Sequence, residues 1–200
     1  MLNLYKSSQN VCYPVIIGDY VEGNSNRLGG SEPQGVSPGD LSFFMTLALE
    51  REPDLDVSIF ISQDFDFFYE NRNKIIDQSS SGVKFVVHEP KSPASDVATR
   101  AMLSMHTLYV GSEDYDSNSL DEIWTHHKIG GYPFFNVQNS DTESYINDRI
   151  RSGFFHIIQL AFPDSDDGPV EGAWPFHDSI FHVFGKQNSA GDYEFFVVWG

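Results

Sequence analysis

The chain has 200 residues, of which 40% are hydrophobic and 20% charged, an ordinary globular balance that argues against disorder and leaves room for a sizeable core. Its 12 basic and 29 acidic residues give a net charge of −17, and such a surface repels nucleic-acid phosphates and anionic lipid heads. One cysteine, Cys12, excludes an internal disulfide and a multi-thiolate metal site, and its apolar neighbours Val11, Tyr13 and Pro14 read as the setting of a small buried thiol.

Along the chain, the segment 22–40 crowds Gly, Ser, Asn and Pro into a loop. Leu41–Leu49 is apolar enough for a buried strand or a helix, which periodicity cannot separate. Val57–Ile61 and Val83–His88 are β-branched and aromatic and read as strands, the second stopped by Pro90. A short helix is expected around Ala98–His106. Ser119-Leu120-Asp121-Glu122 and Ser140-Asp141-Thr142-Glu143 both carry the S-x-x-E pattern of a capped helix start, and the second should run past Arg149 and Arg151 to Gly153. Phe154–Leu160, Ser179–Phe184 and Tyr193–Trp199 complete the strands. Many strands and few helices predict an α+β chain, β-rich, folded as one domain over 1–200. The first residues show no basic segment followed by an apolar one, and no apolar run reaches the roughly 18 residues of a membrane span, so a cytoplasmic location is expected.

A weak internal repeat runs through this order. Leu28-Gly29-Gly30 precedes the runs at 43–49 and 58–63, while Ile129-Gly130-Gly131 precedes those at 154–162 and 179–184. The glycine pairs lie 101 positions apart. A duplicated unit, a Gly-Gly turn followed by a hairpin, is therefore expected over roughly 28–90 and 129–199. Paired glycines allow positive φ or close backbone approach, and Pro133 would fix the chain's exit, so Gly29, Gly30, Gly130, Gly131 and Pro133 are read as structural turns.

No catalytic set emerges. The sequence has neither H-E-x-x-H nor C-x-x-C, the adjacent His126 and His127 diverge on a helix, and His177 and His182 are five apart, so no metal is expected. Asp164-Ser165-Asp166-Asp167-Gly168 opens like a calcium loop, but position 12 is Pro175 instead of glutamate. There is no G-x-S-x-G elbow and no phosphate-cradling glycine motif, so neither an enzyme nor a bound cofactor is expected.

His127-Lys128-Ile129-Gly130-Gly131-Tyr132-Pro133, with Gln138 downstream, resembles the H-K-x-G-G-x-P…Q signature of the YwqG-like family, a bacterial domain of unknown function. Leu28-Gly29-Gly30-Ser31-Glu32-Pro33 is similar to that family's earlier G-G-x-P turn, with one inserted residue. The resemblance spans roughly 28–200 and implies an α+β fold with internal pseudo-symmetry, but little chemistry. As that family is understood, such domains occur beside secreted polymorphic toxins, which implies an immunity role.

Charge agrees with a binding role. Residues 1–100 are net −6 and 101–200 net −11. The expected function is an immunity protein that neutralises a basic, nuclease-type toxin by imitating phosphate charge, with opposite fields speeding association. The expected contacts are Glu113, Asp114, Tyr115 and Asp116 in one loop, and Asp164, Asp166, Asp167 and Glu171 in another, with Trp174 as a second aromatic anchor. The alternative is an enzyme or small-ligand protein using a groove between the repeats lined by His127, Gln138 and Trp174.

Overall fold

A computed structural model describes residues 11–37, 39–49, 55–78, 80–94, 102–115, 126–134, 140–164, 167–176 and 178–200. In chain order the elements are β1 (Val11–Asp19), β2 (Arg27–Leu28), β3 (Ser42–Leu49), β4 (Leu55–Ile61), α1 (Phe65–Glu70), β5 (Ile76–Asp77), β6 (Val83–His88), β7 (His106–Val110), β8 (Asp114–Tyr115), β9 (Lys128–Gly130), α2 (Ser140–Arg151), β10 (Phe155–Leu160), β11 (Phe181–Gln187) and β12 (Tyr193–Trp199). All strands join one antiparallel sheet in the order β5-β12-β11-β10-β9-β1-β7-β2-β3-β4-β6, with β8 alongside β1. The domain is β-rich, with two helices among the described residues.

Side-chain alternation along the strands explains how the sheet buries itself. In β12, Phe195, Val197 and Trp199 enter the main core, while Phe196 and Val198 face the opposite way. Those two join Phe154, Phe184 and Ile146 of α2 in a smaller cluster. β4 divides in the same manner, sending Val57, Ile59 and Ile61 inward and Phe60 to a third cluster with Val36 and Phe43. A strand covered on both faces shows a continuous apolar run, which is why 41–49 gave no period and is the strand β3.

Helix α2 begins at Ser140 and carries Asp141 and Glu143 in its first turn and Arg149 and Arg151 in its last, complementing the helix dipole. Gly153 follows at φ 99°, its N–H donating to the Ile150 carbonyl. The short helix expected at 98–106 is corrected: the described residues 102–105 are not helical, and His106 begins strand β7, which is hydrogen-bonded on both edges, to β1 and β2. The helix start expected at Ser119 lies outside the described residues. Helix α1 was not expected. Asp64 caps it by accepting from the Asp66 N–H at 3.0 Å, so Asp64→Ala is expected to lower stability by about 1 kcal/mol in urea unfolding, with no shift in the pairing of the sheet.

The sheet order is balanced about its centre. Strands β1 and β7 lie side by side, and beyond each runs a short strand ending at a Gly-Gly turn, then a long strand, its hairpin partner and an outer strand: β9-β10-β11-β12 on one side, β2-β3-β4-β6 on the other. The two arms are crossed, because β1 joins the arm of β9 while β7 joins the arm of β2. The chain between β4 and β6 reaches over to place β5 on the outer edge of β12. It is fastened there by Trp199, whose indole N–H donates to the Phe68 carbonyl at 2.9 Å and whose carbonyl accepts from Asn73 N–H at 2.8 Å.

Candidate functional site

The four glycines of the two turns have φ of 67° and 74° at Gly29 and Gly30, and 72° and 69° at Gly130 and Gly131. Pro133 is partly buried just beyond the second pair. Each turn follows a buried cation: Arg27 is 3% exposed and Lys128 is fully buried. The sequence singled out Lys128 only as part of the H-K-x-G-G motif and Arg27 not at all, although both share the pattern Arg/Lys-Leu/Ile-Gly-Gly.

His127 is a fastening point. Its carbonyl accepts from Val15 N–H of β1, and its Nδ1 accepts from Ala161 N–H just after β10, both at 3.0 Å. With Nδ1 an acceptor, Nε2 carries the proton and donates to Asp167 Oδ2 at 2.8 Å. The two side chains are each 4% exposed. Asp167 also accepts from Ile17 N–H at 2.9 Å and from Asp164 N–H at 3.0 Å. Burial pushes its carboxyl pKa up, but the hydrogen bonds from His127, Ile17 and Asp164 outweigh that and hold it below the usual value. With both imidazole nitrogens engaged, His127 has no lone pair left to act as a general base.

A second pair of histidines lies on the outer face of the β9–β12 arm. His156 Nδ1 donates to the Gly130 carbonyl at 2.9 Å, leaving Nε2 to face His182 Nδ1 at 3.3 Å. Burial, then the nearby Lys128, pushes the His156 pKa down to about 3. His182 is lowered in the same direction by burial, His156 and Lys128. Both rings are neutral at pH 7. Beside them Gln159 accepts from Phe134 N–H at 2.9 Å and donates to the His126 carbonyl at 2.8 Å.

Among the expected contact residues, Glu113, Asp114 and Tyr115 are exposed on and beside β8. Tyr115 donates to one carboxylate oxygen of Glu113 at 2.6 Å and Tyr13 to the other at 3.2 Å. The Glu113 hydrogen bond and charge raise the Tyr115 pKa. Asp164 is exposed and meets His126 at 3.2 Å. Glu171 is exposed, with its backbone tied to Ser104. Asp167, by contrast, is turned inward onto His127. Trp174 is half-buried against Phe44, Phe162 and Phe176, so it packs at the edge of the core. Asp116, Gln138, Asp166 and His177 lie outside the described residues.

No protein-family model matches the chain, and neither a curated protein nor a solved structure matches it. Among the described residues no three His, Cys, Asp or Glu side chains gather as a metal set, and no helix is long and apolar enough to cross a membrane.

One opening among the described residues was not expected from sequence. A cleft of about 740 Å³ is lined by Phe68, Tyr69 and Arg72 after β4, by Phe162, and by Phe176, Asp178, Ser179 and Trp199. Its floor is a set of edge-to-face aromatics, Phe68 lying 5.2 Å from Phe176 and 5.5 Å from Trp199. Two aromatics stand open at its rim, Tyr69 at 77% and Phe162 at 57% exposure. Arg72 is paired with Asp178 at 3.5 Å, while Asp64, Asp66 and Glu70 are exposed along α1.

Proposed function

We propose that this protein binds a basic protein partner and neutralises it, the partner being an interbacterial toxin of nuclease type. The observation that carries the reading is the aromatic cleft, open to solvent, with exposed Tyr69 and Phe162 at its rim and acidic residues along the neighbouring helix. Exposed aromatics over an apolar floor are the usual anchors of a protein interface. A chain of net charge −17 draws a cationic surface to them. Apolar side chains flanked by lysine or arginine on the partner would enter the cleft. The toxin-immunity part of the reading, with a cytoplasmic location, comes from the resemblance to the YwqG-like family and from the acidic surface, and the exposed Glu113, Asp114, Asp164 and Glu171 would add to the field that steers association.

The test is co-purification with the product of the neighbouring gene, followed by stopped-flow association at several salt concentrations. Reversing Glu113, Asp114 and Asp164 to lysine together is expected to slow association by about tenfold at low salt, an effect that fades as salt rises. Tyr69→Ala or Phe162→Ala should instead speed dissociation, by about tenfold or more. No complex, or an association rate indifferent to salt and to charge reversal, would overturn the proposal.

We also infer that the two arms descend from one duplicated unit, with the leading strands β1 and β7 exchanged between the copies. Several matched details support this. The hairpin of β3 and β4 has a register shift between Phe43 and Met45, and that of β10 and β11 has one between His156 and Ile158, so that Phe43 lies 14 residues after Gly29 and His156 lies 26 after Gly130, twelve more. Asn26 in one arm and His127 in the other use the carbonyl to accept from the central strand, Leu108 N–H and Val15 N–H, and the side chain to accept from Ala48 N–H and Ala161 N–H. The pairing of Leu28 with His106 matches that of Ile129 with Tyr13. Within the central pair, Val15 with Val110 and Ile17 with Leu108 are related by the same exchange.

A further inference from the structure

The β2–β6 arm contains a smaller cavity of about 170 Å³, lined by residues that include Tyr20, Arg27, Thr46, Asp56, Lys91 and Ser92. Arg27 is its buried wall, 3% exposed, while Lys91 and Ser92 are exposed at the other side. One nitrogen of the guanidinium, Nη1, donates to the carbonyls of Gly29 and Ser31, and the group lies 4.4 Å above the Phe43 ring. The other nitrogen, Nη2, has no hydrogen-bond partner among the described residues. A buried cationic donor left without an acceptor is costly. Burial lowers the Arg27 pKa to about 10, with Tyr20 and Asp56 restoring only part of the loss, which is the behaviour of a guanidinium short of an anion.

The other arm shows what a completed version of this position looks like. There the cation is Lys128, paired in register with Gln159 as Arg27 is paired with Thr46. The longer Gln159 side chain there bonds to the backbone of Phe134 and His126. Thr46 is shorter and turns its hydroxyl to Ser58 at 2.9 Å, so the space beside Arg27 stays open. The cavity carries both signs of charge, Arg27 and Lys91 against Asp56 and Glu22. In a chain this acidic a plain anion is repelled at long range, whereas a molecule carrying both charges is not.

We propose that this cavity binds a small zwitterion the size of a free α-amino acid, its carboxylate taken by Arg27 and its ammonium group facing Asp56. With Nη1 held by the Gly29 and Ser31 carbonyls, Nη2 is the donor left to meet the carboxylate in a charge-assisted hydrogen bond, and the volume admits an amino acid with a short side chain and little more.

The test uses the full chain titrated with glycine, L-alanine and L-serine, and separately with acetate and methylammonium, followed by ¹H–¹⁵N spectra and by melting temperature. Saturable shifts at Tyr20–Arg27 are expected with the amino acids, at concentrations where acetate or methylammonium alone produces none. Arg27→Lys should weaken binding by about tenfold or more, since the Nη2 donor that meets the carboxylate is lost. Should that variant not fold, Ser92→Trp places a large side chain at the exposed mouth and is expected to abolish the shifts with melting behaviour unchanged. Acetate binding as well as glycine, the absence of saturable shifts with any of the three amino acids, or binding that survives Ser92→Trp would overturn the proposal.

Discussion

Gly29→Ala is expected to cost about 3 kcal/mol or more and to leave much of the chain unfolded or aggregated at 37 °C. Two penalties add at this position. The backbone is left-handed, φ 67°, which costs an L-residue about 1–2 kcal/mol. A methyl group there would also run into the carbonyl oxygen of Ser104 and lie 2.9 Å from Leu103 Cβ, and the neighbour is backbone that cannot turn aside. That backbone is itself pinned, because Ser104 N–H donates to the Glu171 carbonyl and the Leu103 carbonyl accepts from Gly30 N–H. Gly23 supplies the control: its φ is also positive, 85°, but nothing lies within 4 Å of an added methyl. Gly23→Ala should therefore cost about 1 kcal/mol, the conformational penalty alone. Gly130→Ala should fall between them, its methyl meeting the Val11 carbonyl oxygen at 2.9 Å. Urea unfolding of the three variants measures the order directly. Equal losses at Gly29 and Gly23 would mean that close approach contributes nothing and that the turn only needs a flexible residue.

The strands β4, β6, β10, β11 and β12 were legible because each is a β-branched and aromatic run bounded by polar or turn residues. The two central strands were not. β1 contains Pro14 and Gly18, which read as strand breakers, yet Pro14 stands where β1 changes partners, residues 11–14 pairing with β8 and β9 and residues 15–19 with β7. β7 is buried at His106, Thr107 and Leu108 in succession, which erases the period of two. Helix α1 has six residues, three of them phenylalanine, too short and too aromatic to show a helical stripe. The glycine turns were visible as a repeat, but the buried cations ahead of them were not, since burial of a charge is decided by partners far along the chain. The cleft was the least legible of all. Its walls come from positions 68, 69, 72, 162, 176, 178, 179 and 199, and only the crossing of the chain to lay β5 on β12 brings them together. Asp167 illustrates the converse: in sequence it is one acid among several, and only the position of His127 makes it a buried anchor.

Stability is expected to fall as the pH drops below about 6.5, and His156 should account for a slope of about 1.4 kcal/mol per pH unit. In the unfolded chain this histidine takes up a proton near pH 6.5, its ordinary value, whereas in the folded protein burial and Lys128 delay protonation to about pH 3. Between those limits the unfolded state binds more protons, so acid favours unfolding; above pH 6.5 both states are neutral there and the contribution is fully present. His182 is lowered for the same reasons and acts in the same direction. Asp167 also stabilises at neutral pH, but its carboxyl sits below the usual carboxylate value, so its share is lost only at still lower pH and does not obscure the histidine window. Relief of self-repulsion in a chain of net charge −17 works the other way as acids are protonated, which makes the absolute curve a poor test. The difference between two proteins removes that background. His156→Phe places at this position the residue type found at Phe43, its counterpart across the register shift of the other arm, and it takes the titrating ring away. Urea unfolding free energies measured from pH 7.5 to pH 4.5 should show a shallower dependence in the variant, by about 1.4 kcal/mol per unit below pH 6.5. Whatever the variant gains or loses in packing moves both ends of its curve together and leaves the slope intact. Parallel curves for the two proteins would mean that His156 protonates equally easily folded and unfolded, and that the pair with His182 is open to water.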